Sequence, residues 1–210
     1  FISLALFFFD GSAYHGGVKD AKYESLQGAL RYAAFQAVSI ATTTGFCNAD
    51  FDRWPHFCRF FLVLIMFIGG CAGSTAGGMK VARVMLLFKS SARELVHLLR
   101  PRAIMHVKLS GKPVSEEILT NTLGFVVLYM MLFGVLSIIL TIFGTVPITA
   151  FSSVASMMNS IGPALADAGA SKTYSGIAYP GKWILIFCML LGRLEIYAVI
   201  LIFLPITWKK

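Results

Sequence analysis

The chain has 210 residues, of which 57% are hydrophobic and 13% are charged, and its mean hydropathy is +0.76. Several apolar runs of membrane-spanning length place it in the membrane class and exclude a soluble domain. Its formal net charge of +8 would suit a nucleic-acid partner, but the placement of the charges argues against one.

The basic residues lie mainly in one part of the chain. Residues 80–112 contain eight lysines and arginines and a single acidic residue, Glu94. The loops of residues 46–55 and 163–178 carry aspartates as well. Because basic residues next to membrane segments mark the cytoplasmic side, we expect these two loops to face outward and the terminal lysine pair to lie inside.

The chain starts within an apolar run, residues 1–9, which we expect to be the tail of a truncated spanning helix in a longer protein. Residues 10–25 predict a polar outer segment. The four cysteines and four histidines lack the spacing of metal ligands and predict no metal site. Cys47 and Cys58 either form a disulfide outside the cell or stay unpaired as small apolar residues.

Residues 26–41 predict a helix that carries Arg31 and Gln36 and is too short and too polar to cross a bilayer, so we expect a re-entrant helix. The negative end of its dipole points at the first turn, residues 42–46. Threonine oxygens there, and a positive φ at Gly45, suit a row of carbonyls that replaces the water shell of a monovalent cation. The alternative is a hydroxyl-rich turn packed against neighbouring helices.

An apolar helix predicted over residues 57–68 is only about two thirds of a bilayer long. It is interrupted by residues 69–78, of which five are glycine, and the helical pattern resumes and runs to residue 99. Irregular backbone at that depth fits a flap across a conduction path, and close helix packing through small residues is the alternative. A phosphate-binding loop is excluded because Met79 and Lys80 stand where Lys-Ser or Lys-Thr is required.

Residues 101–117 predict a basic cytoplasmic linker with a turn between two short extended pieces. The linker is either a solvated connection or a contact surface for anionic lipid or a cytosolic partner. A full outward span is predicted over residues 118–143. Asn121 and Tyr129 within it are expected to form interhelical hydrogen bonds.

A second short helix is predicted over residues 148–158, and it ends in the second turn, residues 159–163. When the two turns are aligned, Ser156 corresponds to Ser39 and Gly162 corresponds to Gly45. The order of short helix, polar turn, glycine, outer loop and spanning helix therefore occurs twice, as in repeats built around a common axis. We expect the residue after each glycine to brace its turn from behind.

The last predicted span, residues 183–208, carries Arg193 and Glu195 near its centre. A charge at that depth costs several kcal/mol and normally faces a cavity or a partner. Because Arg193 and Glu195 are two residues apart, they lie on different faces of the helix and do not neutralise each other. Arg193 either ties down backbone carbonyls of a neighbouring helix or acts as a fixed charge below the filter, tempering cation binding or holding the flap.

Four stretches together carry a family resemblance. They are residues 42–46 (Thr-Thr-Thr-Gly-Phe), 70–80 (Gly-Cys-Ala-Gly-Ser-Thr-Ala-Gly-Gly-Met-Lys), 159–163 (Asn-Ser-Ile-Gly-Pro) and 192–195 (Gly-Arg-Leu-Glu). In order and spacing the chain resembles the C-terminal half of the pore-forming membrane subunit of bacterial Trk/Ktr-type potassium uptake systems. The resemblance implies an all-α polytopic membrane protein. Its repeats each consist of a helix, a re-entrant pore helix and a second helix, and they surround a pseudo-fourfold pore like that of K⁺ channels.

The resemblance assigns residues 1–100 to the third repeat and residues 118–210 to the fourth. The implied ion is potassium, and the candidate filter residues are Thr42, Thr43, Thr44, Gly45, Asn159, Ser160, Ile161 and Gly162. A glycine-rich gate is implied beneath the filter. The candidate gate residues are Gly70, Gly73, Ser74, Thr75, Gly77, Gly78, Lys80 and Arg193. Two of four filter segments would lie outside this chain, so the fragment alone should not conduct.

The resemblance further implies a multi-pass protein of the bacterial inner membrane, in contact with lipid, that forms a homodimer. It also implies docking to a cytosolic ring of regulatory subunits that bind NAD or ATP and ADP. Channel and proton- or sodium-coupled symport are both open, and another monovalent cation or a non-conducting structural subunit are the alternatives. An intramembrane enzyme would need a nucleophile with its base, or a metal pair, which the sequence does not offer.

Overall fold

The computed structural model describes residues 26–100, 106–109, 111–194, 196–203 and 208. The expected helix tail (1–9), outer segment (10–25), Glu195, Lys209 and Lys210 lie outside the described residues. The described helices are α1 (Leu26–Ala41), α2 (His56–Met66), α3 (Val81–Leu99), α4 (Glu116–Ile142), α5 (Pro147–Met158), α6 (Tyr179–Arg193) and α7 (Ile196–Phe203). Two short strands, β1 (Lys108–Leu109) and β2 (Lys112–Pro113), pair antiparallel.

Helix α1 has the bounds predicted from the sequence. It ends where the chain tightens, since the N–H of Thr43 bonds the carbonyl of Ile40 and Thr43 has a φ of 56°. A stripe of small residues, including Ala29 and Ala33, is buried against Cys58 and other residues of α2. Small side chains let the two helices pack closely.

Helix α2 is eleven residues long, which is about 17 Å at 1.5 Å per residue and roughly half a bilayer. The chain leaves helical geometry after Met66 and regains it at Val81. An apolar helix of this length ends before it has crossed a bilayer, so the position of the interruption is compatible with the flap expected for residues 69–78. Helix α3 then runs through the basic segment, and few of its residues are buried.

Helix α4 is, among the described residues, the one single helix long and apolar enough to cross a membrane. It begins two residues before the predicted 118–143 span and ends one residue earlier. Glu116 and Glu117 occupy its first turn, where carboxylates suit the helix dipole. Val127, Ile138 and Ile142 are largely exposed, so this face needs an apolar surrounding.

The predicted span over residues 183–208 is not one straight helix in the described part of the chain. Helix α6 ends at Arg193 and α7 begins at Ile196, and the two helices lie at 114° to each other. At this break Gly192 is pressed against the backbone of Met158, and Arg193 donates a hydrogen bond to the carbonyl of Thr75. We attribute the break to these long-range contacts, which an apolar pattern does not reveal.

Three buried clusters occur among the described residues, and two of them bring the short helices and the apolar helices together. The first lies between α4, α5 and α6 around Tyr129, Met158 and Leu191. The second joins α1 and α2 to Ile161 and Leu165, which follow α5. Helix α5 is buried at nine of its twelve positions, so it is the central element, and its C-terminus connects the two clusters.

Candidate functional site

The first and second turns have equivalent backbone hydrogen bonds, offset by 117 residues. The equivalent bonds are Thr43 N to Ile40 O (3.0 Å) and Ser160 N to Met157 O (3.0 Å), then Thr44 N to Ser39 O (2.9 Å) and Ile161 N to Ser156 O (2.9 Å). The register is the one that aligns Ser39 with Ser156. The sequence repeat is therefore also a repeat of backbone geometry.

The backbone angles repeat as well. Thr43 and Ser160 have φ values of 56° and 53°, and Gly45 and Gly162 have 77° and 113°. A positive φ at a residue other than glycine costs of order 1–3 kcal/mol and is kept where the surrounding structure imposes it, often at functional sites. Positive φ at alternate residues suits a backbone that presents its carbonyls to one side.

The aligned serines support their turns in related ways. Ser39 Oγ donates to the carbonyl of Phe46 over 2.8 Å, and Ser156 Oγ accepts from the N–H of Gly162 over 3.1 Å. Both serines are buried. Each turn is thus tied to the last turn of its own short helix by a hydroxyl group.

The two turns touch each other through their backbones. A Cβ on Gly45 would collide with the carbonyl oxygen of Ile161 and would lie 3.3 Å from Cδ of Pro163. Only glycine allows this approach. Pro163 lies beside this contact, whereas Phe46 is 71% exposed within the described chain, so the bracing role of the two residues stays a prediction.

Other groups of the turns have partners within the chain. The hydroxyls of Thr42 and Thr44 lie 2.8 Å apart. The carbonyl of Gly162 accepts a 2.6 Å bond from the hydroxyl of Tyr174, whose pKa burial raises to about 12, so it stays protonated at neutral pH. A carbonyl oxygen has two lone pairs, which leaves one on Gly162 for a further partner. No sequence pattern pointed to Tyr174.

Asn159 differs from its counterpart in the first turn because its side chain is fully buried. Its Nδ2 donates to the hydroxyl of Tyr129 (2.9 Å) and to the carbonyl of Ala155 (2.7 Å). The expected interhelical role of Tyr129 is therefore found. Asn159 Oδ1 has no hydrogen-bond donor in the described part of the chain, and it faces the backbone of Gly78.

The glycine loop, residues 70–78, lies directly against the second turn. Its base is closed by bonds between Gly69 N and Met79 O (2.8 Å) and between Val81 N and Gly70 O (3.2 Å). A Cβ on Gly77 would lie 2.8 Å from the carbonyl oxygen of Asn159, and one on Gly78 would collide with the Asn159 side chain. Two candidate gate residues, Gly77 and Gly78, therefore lie against two candidate filter residues, Asn159 and Ser160.

Two cations hold three consecutive carbonyls of the glycine loop. Lys80 Nζ donates to the carbonyls of Ser74 (2.6 Å) and Ala76 (2.8 Å), and Arg193 donates to that of Thr75. The N–H of Gly78 bonds the carbonyl of Gly192 over 3.2 Å. Of the two interpretations of Arg193, the contact matches the one that holds the flap.

The outer loops that follow the two turns are also linked. Asp52 Oδ1 accepts from the N–H of Ala166 over 2.9 Å, and Ser171 Oγ donates to Asp50 Oδ2 over 2.9 Å. Burial is the main cause that raises the pKa of Asp52. From the sequence, these carboxylates indicated only which loops face outward, and the hydrogen bonds between the two loops were not predicted.

A conventional metal centre is not found in the described ranges, where no group of three His, Cys, Asp or Glu residues could hold a metal ion. All four cysteines are free, which matches the interpretation of Cys47 and Cys58 as unpaired. Any cation at the two turns would be bound by backbone carbonyl and hydroxyl oxygens.

Short helices that end in backbone turns, a glycine-rich interruption between apolar helices and exposed apolar helix faces are typical of an all-α membrane protein. The family model for TrkH cation transport proteins matches residues 14–209, and the chain belongs to this family. The expected family and fold class are thus confirmed. Members of this family transport ions and are not enzymes.

The Trk system potassium uptake protein TrkH of Halomonas elongata is 44% identical to this chain over 188 residues, 90% of the chain and 38% of that protein. The protein of that name from Escherichia coli K12 is 39% identical, with the same coverage. The crystal structure of the potassium transporter TrkH from Vibrio parahaemolyticus matches with a TM-score of 0.82 and 37% identity, over 99% of this chain and 43% of that one. The chain thus spans less than half the length of these relatives.

Proposed function

We propose that this chain supplies two of the repeats that line the selectivity filter of a bacterial potassium uptake protein. The backbone contact between Gly45 and Ile161 carries the proposal, because it joins two turns of equivalent geometry. Two such turns form half of a fourfold ring, and the rest of the longer protein would supply the other half. The names of the relatives support potassium as the ion.

In this proposal, potassium enters from outside and exchanges its water for oxygens of the two turns. Backbone carbonyls near Thr43, Thr44, Ser160 and Ile161 are the main ligands, since carbonyl rings can replace a hydration shell. The buried Asn159 amide acts as a support for its turn. The ion then reaches the glycine loop and passes inward when that loop moves aside.

The described arrangement corresponds to a closed gate. Gly77 and Gly78 lie against Asn159, and Lys80 and Arg193 hold the exposed part of the loop through its carbonyls. Glycine-rich backbone is flexible, and few side chains anchor this segment. For the loop to swing away from the second turn, its bonds to Lys80 and Arg193 and the bond from Gly78 N–H to the Gly192 carbonyl must break.

The intact protein would be a multi-pass protein of the inner membrane that works as a homodimer. We place the basic helix α3 and the β1–β2 hairpin on the cytoplasmic side, according to the distribution of lysine and arginine. A cytosolic ring that binds NAD or ATP and ADP would dock there and bias the loop. Uptake by a channel or by symport with protons or sodium is compatible with this geometry.

Replacing Gly45 by Ser in the intact protein tests the proposal. The new Cβ would meet the Ile161 carbonyl, and φ at this position is 77°, so we expect the preference for potassium over sodium to fall. Gly176→Ser is the matched control because that glycine has open space around it. The measurement is uptake of potassium, rubidium and sodium by cells or proteoliposomes.

Unchanged relative uptake in Gly45→Ser, with normal amounts of protein in the membrane, would reject the filter assignment. Equal uptake of sodium and potassium by the unmodified protein would point to a less selective monovalent cation transporter. No uptake of any cation by the intact protein would favour a structural subunit.

A further inference from the structure

The second turn is held by a side chain of the loop that follows it. The hydroxyl of Tyr174 donates a 2.6 Å hydrogen bond to the carbonyl of Gly162, twelve residues earlier in the chain. Burial raises the pKa of Tyr174 to about 12, so the hydroxyl keeps its proton at neutral pH. The carbonyl at the end of the second turn therefore has a permanent donor.

The position of Tyr174 is fixed by the packing of its own segment. Residues Tyr174–Gly176 form a short 3₁₀ helix, and the N–H of Ile177 bonds the carbonyl of Tyr174 over 3.3 Å. Ile177 is buried in the first cluster, and the tyrosine ring packs against the same cluster. A Cβ on Gly181 of α6 would lie 2.8 Å from the Ile177 side chain. The hydroxyl is thus presented by a segment that is packed against the core and against α6.

The equivalent carbonyl of the first turn receives a much weaker contact. Gly45 is aligned with Gly162, and its carbonyl oxygen lies 3.8 Å from the thiol sulfur of Cys47. A thiol is a weak donor, whereas a phenolic hydroxyl is an ordinary one. The φ values of the two glycines also differ, 77° against 113°. The two turns share their short-range backbone bonds, but their terminal carbonyls are held with unequal strength.

A carbonyl that accepts a strong hydrogen bond is a stiffer and weaker ligand for a cation. Selectivity for potassium has been attributed either to the size of the ring of carbonyls or to the field strength of its oxygens. On the first account, a fixed carbonyl keeps the ring from contracting around the smaller sodium ion. On the second, a weaker ligand disfavours sodium, which needs the stronger field. Both accounts therefore give the hydrogen bond from Tyr174 the same effect.

We propose that Tyr174 is a positioning residue that makes the second turn selective against sodium, an inference that rests on the proposed function. It acts through the carbonyl of Gly162 and does not itself touch the ion. Gly162 follows Ile161, whose carbonyl approaches Gly45 of the first turn. A displacement of Gly162 is therefore passed to the contact between the two turns.

The test replaces Tyr174 by Phe in the intact protein, which removes the hydroxyl and keeps the ring packed against the first cluster. The measurement is the ratio of potassium to sodium uptake into proteoliposomes, together with the melting temperature of each variant. Tyr179→Phe is the matched control, because it removes the same hydroxyl from a tyrosine that is 81% exposed. Cys47→Ala removes the weaker contact in the first turn.

We expect the uptake ratio to fall about fivefold in Tyr174→Phe, the effect of losing one hydrogen bond. It should fall less than about twofold in Cys47→Ala, because the thiol is a weak donor, and stay unchanged in Tyr179→Phe. An unchanged ratio in Tyr174→Phe, with or without a lower melting temperature, would overturn the proposal and leave the hydroxyl a structural role.

The variant Gly45→Ser separates this inference from the proposed function. A ratio that falls in Gly45→Ser but not in Tyr174→Phe would keep the filter assignment and reject the role of Tyr174. A ratio that changes in neither variant would reject both.

Discussion

Several glycines of this chain are needed because another backbone occupies the place of a side chain. Gly45 meets Ile161, Gly78 meets Asn159 and Gly192 meets Met158. Gly73 has a positive φ with nothing close to it. The first group fixes contacts between distant segments, whereas Gly73 serves only the local turn, and the two kinds of glycine can be separated by substitution.

The substitution Gly78→Ala should open the gate. The new Cβ would collide with the Asn159 side chain and push the glycine loop away from the second turn, so we expect a higher basal potassium flux. Gly73→Ala is the control, because it carries a comparable φ penalty, 84° against 73°, without a collision. Flux into proteoliposomes measures both, and an equal rise in the two variants would attribute the effect to backbone strain.

The carboxyl group of Asp52 should affect stability in a pH-dependent way. Its side chain is 16% exposed. Burial, aided by Asp50, raises its pKa above the ordinary 3.8, against the opposing effects of the hydrogen bond from Ala166 N–H and of the charges of Arg59 and Lys172. The contribution of Asp52 to stability is therefore complete below pH 3.8 and is lost as the pH rises through the folded-state pKa. As the pH rises from 3.8 through the folded-state pKa, the melting temperature of the unmodified protein should fall relative to that of Asp52→Asn.

Asp52→Ala separates the hydrogen bond from the charge. Asn can still accept the N–H of Ala166, but Ala cannot, and an unpaired backbone donor costs about 1–3 kcal/mol. We expect Asp52→Ala to melt below Asp52→Asn at every pH. Identical melting curves for the two variants would show that the link between the outer loops contributes nothing.

The helices show what a sequence pattern can and cannot predict. The bounds of α1 and the interruption after α2 follow from apolar length and from glycine content, which are local properties. The alignment of Ser39 with Ser156 predicted equivalent turns because both turns use the same short-range bonds. The break between α6 and α7 was missed because it depends on Thr75, which lies 118 residues from Arg193.

Arg193 should act as a clamp between two elements. Its bond to Thr75 fixes the glycine loop to the end of α6, so Arg193→Ala should raise basal flux, by about fivefold if the exposed bond contributes about 1 kcal/mol. Lys182→Ala is the control, since Lys182 bonds the carbonyl of Ser175 near the other end of the same helix. A loss of folded protein in Arg193→Ala, seen as a lower melting temperature, would favour a structural role instead.

On the scale of the whole molecule, two of the buried clusters in the described residues are joined at the second turn, and α4 and α6 have large apolar surfaces. Helix α4 buries only 28% of its most apolar window within the chain, and Trp183 on α6 is 72% exposed. Lipid and the remainder of the longer protein account for such surfaces. The sequence predicted the membrane class from composition, but the contact between the two turns required the fold.

We propose that the two turns face one cation path beside their contact at Gly45 and Ile161. The most direct measurement is the anomalous scattering of rubidium in crystals of the intact protein. We expect a rubidium peak adjacent to the carbonyls of Thr44 and Ile161, and its loss in Gly45→Ser. Rubidium bound only at sites away from both turns would contradict the account.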